Sequence, residues 1–205
     1  MDEDFKLFID EFGPPSEKRE VPASSIDRYR GKLPGQLLAY WVEHGWSSYA
    51  RGLFWTVNPY EYEGIIKEWL ECSGIPNASS YNVIARSAFG DLYLWKNSAS
   101  ELIKIDSVYS RYSHDILDPT KGRIDLAVRV FFASVTYASN DLDGLFKKAL
   151  QKLGPLKSDE MYGFVPALAL GGPSDLEHLE KVKTIEHLTF LSQLTPLTDW
   201  GFPDI

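Results

Sequence analysis

Four histidines and one cysteine are the residues in this chain best suited to nucleophilic, acid–base or metal chemistry. Their spacing works against each use. His44, His114, His178 and His187 are scattered, with no two at metal-ligand spacing beside a cysteine or a carboxylate. His178 and His187 stand nine residues apart across an expected turn. Each histidine reads as a surface or capping residue, because a metal-bound imidazole also needs a partner for its second ring nitrogen. Cys72 falls at an expected helix end beside Glu71, where a thiolate is disfavoured. Gly171-Gly172-Pro173 lacks the Lys-Ser/Thr pair of a phosphate loop. A Ser-His-Asp constellation assembled only in space is invisible to spacing. The expectation is therefore no catalytic residue, no metal and no cofactor.

The carboxylates are the remaining chemical resource. The chain holds 29 Asp and Glu against 21 Lys and Arg, a formal net charge of −8. Residues 1–120 carry 18 acidic and 12 basic groups, so −6 of the charge lies there; residues 121–205 carry 11 and 9, or −2. A phosphate backbone is repelled by such a surface, which argues against direct nucleic-acid binding. A basic protein partner is attracted and its association accelerated. Acidity also serves plain solubility. Glu61, Glu63, Asp141, Asp143, Asp159 and Glu160 fall at expected helix starts or loops, and are the candidate partner contacts. Acidic residues favour helix N-termini on dipole grounds as well.

The elements that position these groups are organised around Tyr81 to Trp95. Val83, Ala85 and Ser87 alternate with Ile84, Arg86 and Ala88, and Leu92 and Leu94 with Tyr93 and Trp95. Both faces are apolar, which predicts a central hairpin covered on each side, closed by Gly90-Asp91 as a two-residue turn. Arg86 on such a strand calls for a carboxylate or backbone carbonyls, or for a partner.

Ahead of the hairpin, Phe5, Phe8, Ile9 and Phe12 mark a helix over 2–12 that Gly13-Pro14-Pro15 ends. Ser24-Ser25 predicts the cap of a short helix to Arg30. A further helix opens at Leu33-Pro34 and ends at Gly45, and Trp46–Ala50 reads as a loop. Residues 52–57 read as a strand, and Asn58-Pro59 as the start of a helix to Cys72. Trp41, Trp55, Trp69 and Trp95 are expected in the core, Trp46 and Trp200 in loops.

After the hairpin, 101–105 reads as a strand and residues near Val108–Tyr112 as another. The cluster Asp118-Pro119-Thr120-Lys121-Gly122 predicts a turn and a soft boundary, giving units 1–118 and 119–205 that share a core. Ile124 to Val135 is nearly all apolar and predicts a deeply buried helix joining the two. Residues 141–153 predict an amphipathic helix capped by Asp141. A strand near 160–165, broken by Pro166 and thus expected at an edge, a short strand near Val182 and a helix over 185–194 follow; residues 195–205, with Trp200 and Phe202, read as a tail. The fold class is α+β: a mainly antiparallel central sheet packed by helices, with a helical C-terminal half carrying a short-stranded sheet.

No apolar run reaches the ~20 residues of a membrane span, and the acidic start MDEDFKLFIDEF lacks the basic and apolar segments of a secretory signal. With one cysteine, no intrachain disulfide is possible. These features predict a cytoplasmic location.

Several long motifs resemble a known family. FGPP (12–15), RYRGKLPGQLLAYWVEHGW (28–46), GLFWTVNP (52–59) and VIARSAFGDLYLW (83–95) are similar to the GAD-like domain. DEMYGFVPALALGGP (159–173) and VKTIEHLTFLSQL (182–194) resemble the C-terminal domain paired with it in type VI secretion immunity proteins that neutralise DNase effectors. The resemblance implies a cytoplasmic, non-enzymatic α+β protein that binds a cognate nuclease toxin. A general interaction module without a toxin, and a hydrolase built from scattered Asp and His, are the alternatives.

Overall fold

The computed structural model describes residues 2–116 and 123–201. The expected turn cluster and boundary at 118–122, and Phe202, lie outside the described residues. The architecture is α+β, with an eight-stranded sheet, a separate two-stranded sheet and seven α-helices among the described residues.

Helix α1 (Glu3–Phe12) begins at Asp2, whose carboxylate accepts the Phe5 N–H at 2.9 Å. Gly13, at φ 78°, ends it. Strand β1 (Lys18–Arg19) leads into α2 (Ala23–Tyr29). Ser24 and Ser25 do not cap α2: they lie inside it, and Pro22 precedes it with no side-chain cap. Pro22 itself takes the extended N-cap conformation, φ −61° and ψ 144°, which moves both serines into the first turn. Helix α3 (Gly35–His44) follows Pro34. Trp46–Ala50 is not a loop: β2 (Trp46–Tyr49) is a fully buried strand pairing with β1 and with β3 (Phe54–Thr56). Buried on both faces, it shows no polar alternation, and Ser47 and Ser48 mask its β character. Asn58 accepts the Tyr60 N–H at 3.2 Å, and a 3₁₀ turn Pro59–Tyr62 leads into α4 (Glu63–Cys72).

The central hairpin is β4 (Tyr81–Ser87) and β5 (Leu92–Lys96), extended by β6 (Glu101–Asp106) and β7 (Arg111–Ile116). The turn differs from the expected two residues. Ser87 N–H donates to Asp91 O at 2.9 Å, so Ala88, Phe89 and Gly90 form a three-residue loop with Gly90 at φ 86°. A register shift between Val83 and Ala85 also breaks the strict alternation of β4.

The sheet is covered on both faces, as the two apolar stripes of the hairpin predict. On one, Phe8 of α1 packs edge-on against Phe54 at 5.4 Å between ring centroids, and Phe54 against Tyr93 at 5.7 Å. Helix α5 (Ile124–Ser134) completes this side, with Phe131 at 5.4 Å from Tyr93 and Phe132 at 5.3 Å from Phe8. Trp55 alternates with Phe54, so with its cross-strand partner Arg86 it points to the opposite face, toward Tyr62 and α4.

Helix α5 is not buried all round. Ala127, Val128, Phe131 and Phe132 are inside, while Val130 is 41% exposed and Arg129 reaches Asp4. A run so apolar hides which side is outermost, and only the contacts with α1 and α3 decide it. Asp141 does not cap the next helix directly. Leu142 and Asp143 both take positive φ, Gly144 sits at the N-cap, and α6 (Leu145–Leu153) starts later than expected. Strands β8 (Glu160–Phe164) and β9 (Leu179–Lys183) form the small sheet, α7 (Thr184–Leu194) follows, and β10 (Thr198–Asp199) joins β7 in parallel. Trp41, Trp55, Trp69 and Trp95 are all buried; Trp46 is buried too, and Trp200 is exposed.

Candidate partner-binding surface

Arg86 is the electrostatic centre between the two parts of the chain. Its side chain is fully buried. Nη1 donates to Ser87 O at 3.2 Å, and Nη2 to Ser158 O and Glu160 O, both at 3.0 Å. The guanidinium lies over the Trp55 ring at 4.8 Å. Of the readings open for this arginine, pairing with backbone carbonyls is the one realised at both Nη atoms, while Nε has no partner among the described residues. Burial pulls its pKa down, and the Tyr62 hydroxyl and the carboxylates of Asp159 and Glu61 offset this. Glu61 and Asp159, from the two parts of the chain, thus both favour the charged form of one buried cation.

The other candidates are distributed over the surface. Glu61, at the start of the α4 segment, is held by Arg19 at 2.7 Å, and Glu63 by Arg28 at 3.3 Å. Arg28 also lies over the Tyr60 ring at 4.2 Å. Asp159 pairs with Lys183 Nζ at 2.5 Å, which holds its carboxyl below the usual range. Glu160 accepts the Lys157 N–H at 3.1 Å. The Asp141 carboxylate accepts the Phe146 N–H at 3.2 Å, so it supports the α6 entry from three residues before the N-cap Gly144. Asp143 is exposed at φ 54° and has no ion pair or hydrogen bond among the described residues. Such exposed pairs contribute little stability, but a carboxylate already neutralised projects a weaker field to a partner.

Several exposed carboxylates outside the first six meet that criterion, among them Glu20, Glu180 and two on one helix. Glu68 and Glu71 lie on the exposed side of α4 and form no ion pair among the described residues. Their three-residue spacing puts them on one helix face, a signal present in the sequence. With Asp143 they supply unneutralised negative charge.

The histidines are dispersed. His44 is partly buried and stacks on Phe5 at 4.6 Å, so it is a packing residue rather than a surface one. His178 bonds Asp175 at 2.8 Å at the surface, and His114 lies 3.4 Å from Glu101. Burial lowers the pKa of His187. No cluster of three or more His, Cys, Asp or Glu suited to a metal occurs among the described residues. No helix there is long and apolar enough to cross a membrane.

A model of the GAD-like domain matches residues 3–109, more than half of the 205-residue chain. The chain belongs to the GAD-like domain family. Its second part, residues 125–195, is similar to the family described as T6SS immunity protein Tdi1, C-terminal. The GAD-like match spans α1 to β6; the immunity match spans α5 to α7. The crystal structure of Atu4351 from Agrobacterium tumefaciens superposes with a TM-score of 0.86 at 22% identity, covering 97% of this chain and 94% of that one. At that identity the likeness establishes the fold. No curated protein matches the chain.

Proposed function

We propose that this GAD-like chain is an immunity protein that binds a cognate DNase toxin in the bacterial cytoplasm and neutralises it by direct contact, with no turnover of its own. The match of residues 125–195 to the Tdi1 immunity domain carries the reading. Charge supplies its physics: a nuclease that grips DNA carries Lys and Arg around its cleft, and a chain of net charge −8 is steered toward it. The contact surface is drawn from Glu61, Glu63, Asp141, Asp143, Asp159 and Glu160, reinforced by the unneutralised Glu68 and Glu71.

The test uses the nuclease encoded beside this gene. The two purified proteins should co-elute as a complex whose association slows with salt. Reversing to Lys both Glu68 and Glu71, whose side chains have no hydrogen-bonded partner among the described residues, should slow association and flatten its salt dependence with little change in folding. Independent elution at micromolar concentrations would contradict the proposal and favour a general interaction module.

A further inference from the structure

Carboxylates exposed to water steer a basic partner and speed its arrival, but they contribute little to holding it. A long-lived complex needs a buried anchor, and such anchors are drawn mostly from Trp, Tyr and Arg on a preformed surface. These three types meet at the surface beside β7. Arg111, at the start of that strand, packs against the Tyr109 ring at 4.6 Å and the Trp200 ring at 3.4 Å. Its Nε donates to Asp106 Oδ2 at 2.9 Å, which fixes the guanidinium. Trp200 N–H donates to Tyr112 O at 2.8 Å, so the indole is also held by its own backbone. Yet Trp200 is 61% and Tyr109 44% exposed, while the other five tryptophans are buried.

Tyr109 also lines a groove of about 450 Å³. Val108 and Tyr109 of the β6–β7 turn face it, with Leu168 and Ala169 of the 3₁₀ turn Leu168–Leu170, and Leu194 and Pro196 where α7 passes into the strap that follows it. No charged residue lines it, in a chain in which 24% of residues are charged. The strap is fixed in place: Thr198 N–H donates to Ser110 O at 3.0 Å, Trp69 Nε1 to Thr195 O at 3.2 Å, and Leu197 N–H to Ser73 Oγ at 2.8 Å. The groove therefore needs no ordering when a partner arrives, which favours affinity. Its walls come from both matched regions: Val108 and Tyr109 close the first, and Leu168, Ala169 and Leu194 lie in the second. The charge left over beside it is negative. Asp199, next to the lining Thr198, accepts Gly201 N–H at 2.7 Å and forms no ion pair among the described residues, whereas Arg111 is already neutralised by Asp106 at 2.9 Å.

Resting on the immunity reading, we infer that the cognate nuclease seats an apolar side chain with a neighbouring Lys or Arg in this groove, with Tyr109 and Trp200 as its anchors and Asp199 as the carboxylate that takes its cation. The uncharged lining accepts the apolar group, and the unspent Asp199 selects a basic segment over an acidic one. The carboxylates on the rest of the surface bring the nuclease in; the groove holds it. A second copy of this chain would bring its own net charge of −8 against the same surface, which opposes self-association there.

The test titrates the full chain into the nuclease encoded beside its gene, by calorimetry. Trp200→Ala and Tyr109→Ala should each weaken the complex at least about tenfold. Ala169→Arg, which puts a long cation into the groove from an exposed position, should weaken it by a similar factor without touching the strap. In acrylamide quenching, wild type and Trp200→Phe should differ when free and converge in the complex. Unchanged affinity in Trp200→Ala and Ala169→Arg, with wild type still bound, would overturn this inference and leave the immunity reading standing. A lower melting temperature of Trp200→Ala with unchanged affinity would overturn it likewise, by showing that the indole only pins the strap. Failure of the wild-type chain to bind would overturn both. A wild-type dimer in sedimentation that Trp200→Ala dissociates would give the groove to a second copy and overturn the inference too.

Discussion

Replacing Arg86 by Met tests whether this buried cation holds the two parts of the chain together. Met keeps most of the volume and removes the charge with its three hydrogen bonds, to Ser87 O, Ser158 O and Glu160 O. Two effects oppose each other. Removing the guanidinium recovers its desolvation, the largest cause of its lowered pKa, and apolar replacement of buried ions has stabilised some proteins by ~1–4 kcal/mol. Against this, each hydrogen bond to a charged group contributes about 1.5–3 kcal/mol net, and the carbonyls left behind lose their donor. Three such bonds, plus the stack on Trp55 at 4.8 Å worth ~0.5–2 kcal/mol, outweigh a single desolvation term. The expected loss is about 3 kcal/mol. With a slope of ~1–3 kcal/mol per molar urea, the denaturation midpoint should fall by about 1 M or more. Arg86→Lys should recover only part of the loss, because one ammonium cannot reach the acceptors that Nη1 and Nη2 serve together. A midpoint within 0.3 M of wild type (about 0.3–0.9 kcal/mol at that slope), or a rise, would refute the reasoning and show that desolvation dominates.

Gly90→Ala should destabilise by more than the usual ~1 kcal/mol for a left-handed glycine, because an added Cβ would meet Met161 Cε at 2.4 Å and Ser107 Oγ at 2.9 Å; an unchanged melting temperature would show the loop free to shift away from β8. Burial pushes the Asp91 carboxyl up to about 7 despite Lys104 at 3.7 Å. A carboxyl raised above its unfolded value gives stability fully present below pH ~4 and lost as pH rises to about 7. For a side chain 14% exposed the swing is on the order of 2–4 kcal/mol, and it should vanish in Asp91→Asn; equal pH slopes in both proteins would contradict it. We propose that the GAD-like and immunity parts share one core, since α5 lies in the second and packs against α1 and α3 of the first. Calorimetry should then show a single transition, and two resolved ones would separate them.

Much of this fold was legible because its strongest signals are local. The apolar spacing of Phe5, Phe8 and Phe12, the glycine stops at Gly13 and Gly45, and the two-faced hairpin all translate directly into structure. Even the environment of Arg86 follows from its place on a buried strand, although Ser158 and Glu160 as its acceptors depend on a contact more than seventy residues distant. What escaped reading is long-range. Trp46–Tyr49 lacks alternation because both of its faces are covered. The exposed side of α5 is set by α1, and the length of the Ala88–Gly90 loop by Tyr162 N–H reaching Ala88 O. For the candidate surface, residue type identified the carboxylates but not which were already spent. Arg19, Arg28 and Lys183 come from distant parts of the chain to neutralise Glu61, Glu63 and Asp159, leaving Glu68 and Glu71 among the freer charges.

The central claim, neutralisation of a nuclease by direct binding, is tested most directly by titrating this chain into the neighbouring gene's nuclease and following DNA cleavage. The account predicts that cleavage falls in proportion to added protein and ends at a fixed molar ratio, with Glu68→Lys/Glu71→Lys requiring more. Undiminished cleavage at excess, or loss of cleavage at trace amounts that deepens with time as a catalyst's would, contradicts it.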